Sequence, residues 1–161
     1  MTTDQTYSDY PDAPDIESST VDYAKRFSGS VGDWFLQVQS NTTLSLLEKT
    51  VETDTLKVLD VGGGHGQNIP LLKSLSAEVT IVGSSPECAD LIRQDVDSRA
   101  VNFVCAPLKQ LPFDDNTFDV VICYRVLAHI DDWQGLAVEL MRVSRQVVLV
   151  DFAASSSVNA L

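Results

Sequence analysis

The sequence predicts a doubly wound, mostly parallel α/β sheet preceded by helices, and three observations predict it. Short apolar runs rich in Val and Ile recur at Leu56–Val61, Val79–Val82, Val101–Cys105, Phe118–Cys123 and Val147–Val150. Helical patterns lie between them at Gln67–Leu75, Pro86–Asp97 and Asp132–Val143. Several of the runs are apolar at consecutive positions, as expected of strands covered by helices on both faces. Such strand–helix alternation implies parallel pairing through crossovers, with a ligand crevice beyond the carboxyl ends of the strands.

The 161 residues fit a single domain with a substantial core. The first 22 residues carry Asp4, Asp9, Asp12, Asp15, Glu17 and Asp22 with no Lys or Arg, half of a formal net charge of −12. Such a segment has too little apolar surface to offset the entropy of ordering, so residues 1–17 read as a disordered acidic tail and 18–161 as the domain. Within it, 18–53 reads as two N-terminal helices and 56–152 as the α/β core. Ser18 or Ser19 is a candidate cap for the first helix, and Ser28-Gly29 a candidate stop. In the second, Trp34, Phe35, Val38, Leu44 and Leu47 fall roughly on one face. Tyr23, Phe27, Trp34 and Phe35 read first as a core stripe, with a lid over a pocket as the alternative. Asp114-Asp115 reads as a turn and Asp131-Asp132 as a helix cap.

The stretch "KVLDVGGGHGQNIPLL", Lys57 to Leu72, carries the chemistry. A strand ends in Asp60, glycines follow at 62, 63, 64 and 66, and a helical pattern begins. Glycine tolerates positive φ and lets a ligand approach the backbone, while a following helix start offers unpaired N–H groups. A polar nucleoside fragment suits such a bend. The dinucleotide fingerprint G-x-G-x-x-G fails in both registers, reaching Gln67 from Gly62 and Ile69 from Gly64, which counts against a nicotinamide-dependent oxidoreductase.

"VLDVGGGHG" resembles the first motif of the class I S-adenosylmethionine-dependent methyltransferases. "LPFDDNTFDVVICYRVLAHI" resembles their fourth-strand region, especially in the small-molecule, quinone-biosynthesis-like branch. "VTIVGSSPE" and "ELMRVSRQVVLVDF" are similar to the end of the second strand and the approach to the fifth. The resemblance spans about Leu56 to Phe152 and implies a Rossmann-like sheet of order 3-2-1-4-5. It implies S-adenosylmethionine as cofactor, bound by Asp60, Gly62, Gly63, Gly64 and Gly66. In that pattern Gly62, Gly64 and Gly66 lie against its methionine and ribose portions, and Asp60 orients the loop or the cofactor's amino group.

Three departures from the family pattern follow. Gly83 stands where an acid usually accepts from the ribose hydroxyls, leaving Ser84 or Ser85 as a neutral partner, and charge-assisted hydrogen bonds are about twice as strong. Pro107 replaces an acid beside the adenine, with Leu108 left to pack on the base. The usual antiparallel 7-6 pair is lacking, so Val147–Val150 is expected to be an exposed edge. A longer parent protein, a homodimer or protein partner covering that edge, and a C-terminal tail folded over it are the three explanations. Tyr124 and His129 follow the fourth strand, where the family builds its acceptor site. Tyr124 is a candidate cofactor contact, and both are candidate catalytic residues.

Methyl transfer to a small molecule is the leading expectation, and a non-catalytic methyltransferase-like module binding a protein partner is the alternative. No basic stripe suggests nucleic acid, no apolar run is long enough for a membrane span, and two distant histidines suggest no metal site. Cys88, Cys105 and Cys123, widely spaced and without a CxxC pattern, suggest a reducing compartment, and the cytoplasm is the expected location.

Overall fold

A computed structural model describes residues 13–51 and 55–152. Its strands are β1 (Lys57–Val61), β2 (Glu78–Gly83), β3 (Asn102–Cys105), β4 (Phe118–Cys123) and β5 (Ser144–Val150). They form one sheet in the order 3-2-1-4-5, every neighbouring pair parallel. The expected architecture is present. Its helices are α1 (Asp15–Ser18), α2 (Val21–Ala24), α3 (Gly29–Thr50), α4 (Ile69–Ser74), α5 (Arg93–Asp97) and α6 (Trp133–Val143). Short 3-10 turns occupy Lys25–Phe27, Gly63–His65, Pro86–Ile92 and Leu127–His129.

Consecutive apolar residues in the strands feed two cores, one on each face. Leu59, Val61, Val121 and Cys123 pack with Leu136, Leu140 and Val143 of α6. Val58, Ile81, Val120 and Ile122 pack with Leu47 of α3, Ile69 and Leu72 of α4, and Ile92. Strands buried on both faces cannot alternate with polar residues, which is why the sequence pattern was continuous.

Three sequence expectations need correction. The cap of α2 is Thr20, whose side chain accepts from the Tyr23 N–H, in place of Ser18 or Ser19. The aromatic stripe of α3 is not core: Trp34 is 65% exposed, and Phe35 and Val38 are each 43% exposed. Gly32, Thr43 and Leu47 are the buried positions of that helix. β5 begins at Ser144, three residues before the apolar run. Its polar start has a partner: Arg145 and Gln146 donate to Asp119 Oδ1 at 2.9 and 3.2 Å. Asp119 Oδ2 accepts from the Lys57 N–H at 3.0 Å, so one buried acid ties β1, β4 and β5 together. Asp132 caps α6 as expected, accepting from the Gly135 N–H at 3.0 Å.

Among the described residues β5 is an outer strand, with Val150 exposed beside Phe152. The expected fold-back of the C-terminal tail concerns residues 153–161, outside the described residues. No described helix is long and apolar enough to cross a membrane.

Arg142 holds the β3–β4 connection against α6. It donates to the carbonyls of Phe113 and Leu111 at 2.7 and 3.0 Å, to Asp115 at 2.9 Å, and to both oxygens of Glu139 at 2.8 Å. Glu139 Oε2 also accepts from the Leu111 N–H at 2.9 Å, and the Arg142 hydrogen bonds hold its carboxyl below the usual range. Arg142→Ala is expected to lower stability by about 2 kcal/mol, because it strands two carbonyls and a carboxylate. Urea denaturation checks this, and no change in midpoint would refute it.

Candidate functional site at the strand tips

The site grows from the end of β1. Asp60 is 1% exposed, and its Oδ2 accepts from Asn68 Nδ2 at 3.0 Å. Burial pushes its carboxyl from 3.8 up to about 6, against opposing pulls from the Asn68 hydrogen bond and the Arg125 charge. The chain then bends through left-handed residues at Gly62 (φ 71) and Gly66 (φ 74), a conformation that favours glycine. A Cβ at Gly63 would collide with the Asp60 carboxylate, so that glycine makes room for the acid.

What lies on the bend is a segment of the same chain. Asp15, at the start of α1, is fully buried. Its Oδ2 accepts from the Ser84 N–H at 2.7 Å and its Oδ1 from the Ser84 hydroxyl at 2.6 Å. Cys88 Sγ donates to Oδ2 at 3.3 Å, its thiol pushed up to about 12 by burial and by the Asp15 charge. The Asp15 Cβ stands 3.3 Å from where a Gly62 Cβ would be, and Ser19 Oγ meets the same position at Gly64. The expected disordered tail is therefore corrected for residues 13–17, which are placed, with Asp15 buried; residues 1–12 lie outside the described residues. Donors at the tip of β2 accommodate the acid, and composition alone does not reveal them. The close approach that the glycines are expected to offer a ligand is taken here by the chain itself, through Asp15, Ser19, Val126 and the Cys88 carbonyl.

The other expected site residues divide. Ser84 is at the site through both its donors. Gly83 is beneath it, but a Cβ there would lie 2.6 Å from the Cys88 Cβ and 3.1 Å from the Phe103 ring. An acid would not fit, so Gly83 contributes backbone, its carbonyl accepting from the Ala106 N–H at 3.0 Å. Pro107 lies in the following turn, its carbonyl accepting from Gln110. Leu108 is 1% exposed inside the α6-side core, and the expected stacking on a base gives way to that packing. The Tyr124 hydroxyl lies 2.8 Å from Thr43 Oγ1, whose own proton goes to the Gln39 carbonyl at 2.9 Å. Tyr124 is thus the donor, latched to α3, and burial raises its pKa. His129 is exposed on a cavity of about 300 Å³ that Pro14, Glu17, Ser18, Tyr23 and Arg26 also line. Among the described residues no hydrogen bond or ring contact joins His129 to Tyr124.

Asn68, Gln39 and Gln67 carry no site role in the sequence reading, and His65, Tyr23, Phe27 and Ser19 carry other ones. Asn68 follows the glycines as the polar partner of Asp60, and Gln39 Nε2 reaches its Oδ1 at 3.3 Å. Arg125, at positive φ (62), directs its N–H to Asp151 at 2.5 Å and lays its guanidinium over the Phe27 ring at 4.4 Å. Phe27 and Tyr23 meet His65 at ring-centroid distances of 5.3 and 5.9 Å, so part of the aromatic stripe covers the bend. Burial, then Arg125, lowers the His65 pKa. Gln67 weakly favours the charged imidazole, yet its Oε1 and the His65 Nδ1 both lack a partner of hydrogen-bond geometry. Ser19 Oγ and one Arg125 terminal nitrogen are the other buried, unpartnered side-chain atoms among the described residues. All four sit in or beside the covered bend. A polar ligand suits that donor and acceptor set; no group of three or more His, Cys, Asp or Glu among the described residues is arranged for a metal.

A parallel sheet of order 3-2-1-4-5, with a glycine bend after β1, defines a Rossmann-like domain of the nucleoside-binding type. The family described as "Methyltransferase domain" matches residues 59–149. The chain belongs to that family, and its sheet order is the one that the resemblance to class I methyltransferases implies. It is 27% identical over 121 residues to a Coxiella burnetii ubiquinone biosynthesis O-methyltransferase, covering 69% of this chain and 52% of that protein. It is 35% identical over 109 residues to a Deinococcus radiodurans demethylmenaquinone methyltransferase, covering 63% and 45%. Among solved structures, a Galdieria sulphuraria putative sarcosine dimethylglycine methyltransferase superposes with a TM-score of 0.62 at 16% identity, covering 80% of this chain and 52% of that one. That last likeness is one of fold. The chain spans about half the length of the curated relatives it matches.

Asp60 gives the site a pH signature. Its folded-state value of about 6 lies above the unfolded value of 3.8, so the folded state holds the extra proton between them. Stability is therefore expected to fall as pH rises from about 4 to about 6, and the ionised acid is a burden at pH 7. Asp60→Asn should remove that slope and raise unliganded stability at pH 7 by up to about 3 kcal/mol. Urea denaturation of both proteins across this range tests it; parallel pH profiles would refute it.

Proposed function

We propose that the protein transfers a methyl group from S-adenosylmethionine to a small-molecule acceptor. The observation that carries the reading is the bend after β1. Left-handed glycines at 62 and 66 are held there by the buried Asp60–Asn68 pair, in a chain of this family. The cofactor supplies a methyl group already activated on a sulfonium, so the protein's main task is to position it and the acceptor. The backbone of Gly62–Gly66 and the donors of Ser84 would hold the cofactor once α1 is off them. Asp60 keeps the bend in shape.

The acceptor side is assigned to the surface that Tyr23, Arg26 and His129 present beside α1. With α1 in place it is a cavity of about 300 Å³ whose other wall is Pro14, Glu17 and Ser18, so its shape changes when α1 moves. His129 is the proton acceptor there if the substrate must lose a proton. Tyr124, its hydroxyl committed to Thr43, acts as a structural latch. Similarity to a ubiquinone biosynthesis O-methyltransferase and to a demethylmenaquinone methyltransferase favours a small-molecule acceptor related to quinones. Three free cysteines fit the reducing cytoplasm.

Isothermal titration with S-adenosylhomocysteine should show one binding site per chain, and a folded sample with no binding at millimolar ligand would end this reading. In the same assay His129→Ala should leave cofactor affinity unchanged, whereas its loss would move His129 to the cofactor side. Tyr124→Phe should lower stability by about 1 kcal/mol through the lost hydrogen bond to Thr43. A neutral effect on the urea midpoint would remove the latch.

A further inference from the structure

We propose that the Pro14–Ser19 segment is a strap that closes the cofactor cradle when no ligand is bound and competes with the nucleoside for the tip of β2. It deepens, and rests on, the S-adenosylmethionine reading above.

Occupancy is the first argument. The Asp15 carboxylate takes both donors of Ser84, the N–H at 2.7 Å and the hydroxyl at 2.6 Å, as an incoming ligand would. Asp15 stands against Gly62 and Ser19 against Gly64, alongside Val126 and the Cys88 carbonyl, which approach the same positions more closely. α1 therefore supplies the movable part of the cover over that backbone.

The second argument is that the strap fills the site without satisfying it. Ser19 Oγ, His65 Nδ1, Gln67 Oε1 and an Arg125 terminal nitrogen have no partner of good geometry around it, with Ser19 only near the Cys88 thiol and His65 only near Gln67. Unmet buried groups of this kind are destabilising, and a ligand that meets them has the advantage. Asp15 itself is buried against neutral donors only, the Ser84 N–H, the Ser84 hydroxyl and the Cys88 thiol. With no cation beside it among the described residues, the carboxylate depends on those hydrogen bonds alone, and a ligand that takes Ser84 removes two of them.

The third argument is mechanical. α1 is four residues long and ends where Thr20 starts α2 with its own cap, so the strap can lift without disturbing the sheet. A cradle open only part of the time binds its ligand more weakly by the open fraction. The strap thus sets a threshold of cofactor concentration below which the site stays sealed.

The test uses the full chain, S-adenosylhomocysteine as probe, and titration calorimetry. Asp15→Ala removes the strap's hold on Ser84 and should tighten the dissociation constant about fivefold or more. Asp15→Cys places a thiol beside Cys88. Oxidation should crosslink the two, confirmed by peptide mass mapping, and abolish binding; reductant should restore it. Should Asp15→Ala not fold, reduced Asp15→Cys is the second loosened variant, expected to bind more tightly than wild type.

Weaker binding by Asp15→Ala would overturn the strap and make Asp15 a cofactor ligand. Equal affinity in wild type, Asp15→Ala and crosslinked Asp15→Cys would overturn the strap alone, leaving the cofactor reading intact. No binding by any of these folded proteins, Asp15→Ala and reduced Asp15→Cys included, would instead remove the cofactor reading, and the strap with it.

Discussion

A buried carboxylate at the end of β1 constrains everything around it. Asp60 has no room for water, so its environment must come from the protein, and Asn68 supplies the direct hydrogen bond. Asn68 opens the chain toward α4, so holding the acid fixes where that helix begins. Gly63 must lack a side chain to admit the carboxylate, and Gly62 and Gly66 must turn left-handed for the chain to return. Asn68 also receives Gln39, which links the acid to α3. Arg125 contributes charge from the tip of β4 and is itself stacked on Phe27. Loop, helix and aromatic cover are arranged around one charge.

The sheet was legible because its information is local. Five apolar runs separated by helical periods declare strands covered on both faces, and the two cores occupy those faces as the pattern requires. Polar contacts between distant segments were illegible. Ser144–Gln146 looked like loop because their strand pairing is supported by Asp119, 25 or more residues earlier. Asp15 looked solvated because its donors, on Ser84, are 69 residues away. A faint local signal was present: Pro14 with Asp15 and Glu17 in the next turn is a helix-start pattern. Acidic composition outweighed it.

The departure at Gly83 has a packing cause. Cys88 and Phe103 fill the direction its side chain would take, so an acid at that position would have to displace both. A carboxylate nevertheless stands at this corner, contributed by Asp15 from the N-terminal side. The corner keeps its negative charge while changing which part of the chain carries it. A side chain on β2 is fixed to the sheet, whereas one on a four-residue helix moves with that helix. Carrying the charge on α1 therefore couples the electrostatics of the corner to the position of α1.

This bears on what a glycine-rich bend means. Gly64 is required because something approaches its Cα more closely than a Cβ permits, and in this structure that something is Ser19 and the Cys88 carbonyl. A ligand resting on the same backbone would impose the same requirement. Glycine spacing therefore reports close approach and leaves the identity of the approaching group to be decided by its surroundings. Here those surroundings are four unmatched polar atoms beside a buried carboxylate. Ser19 meets the steric demand of Gly64, and its hydroxyl reaches only toward the Cys88 thiol, without good geometry, so it meets the polar demand of the site in part. A group meeting both must carry donors and acceptors on several sides, as a nucleoside joined to an amino acid does.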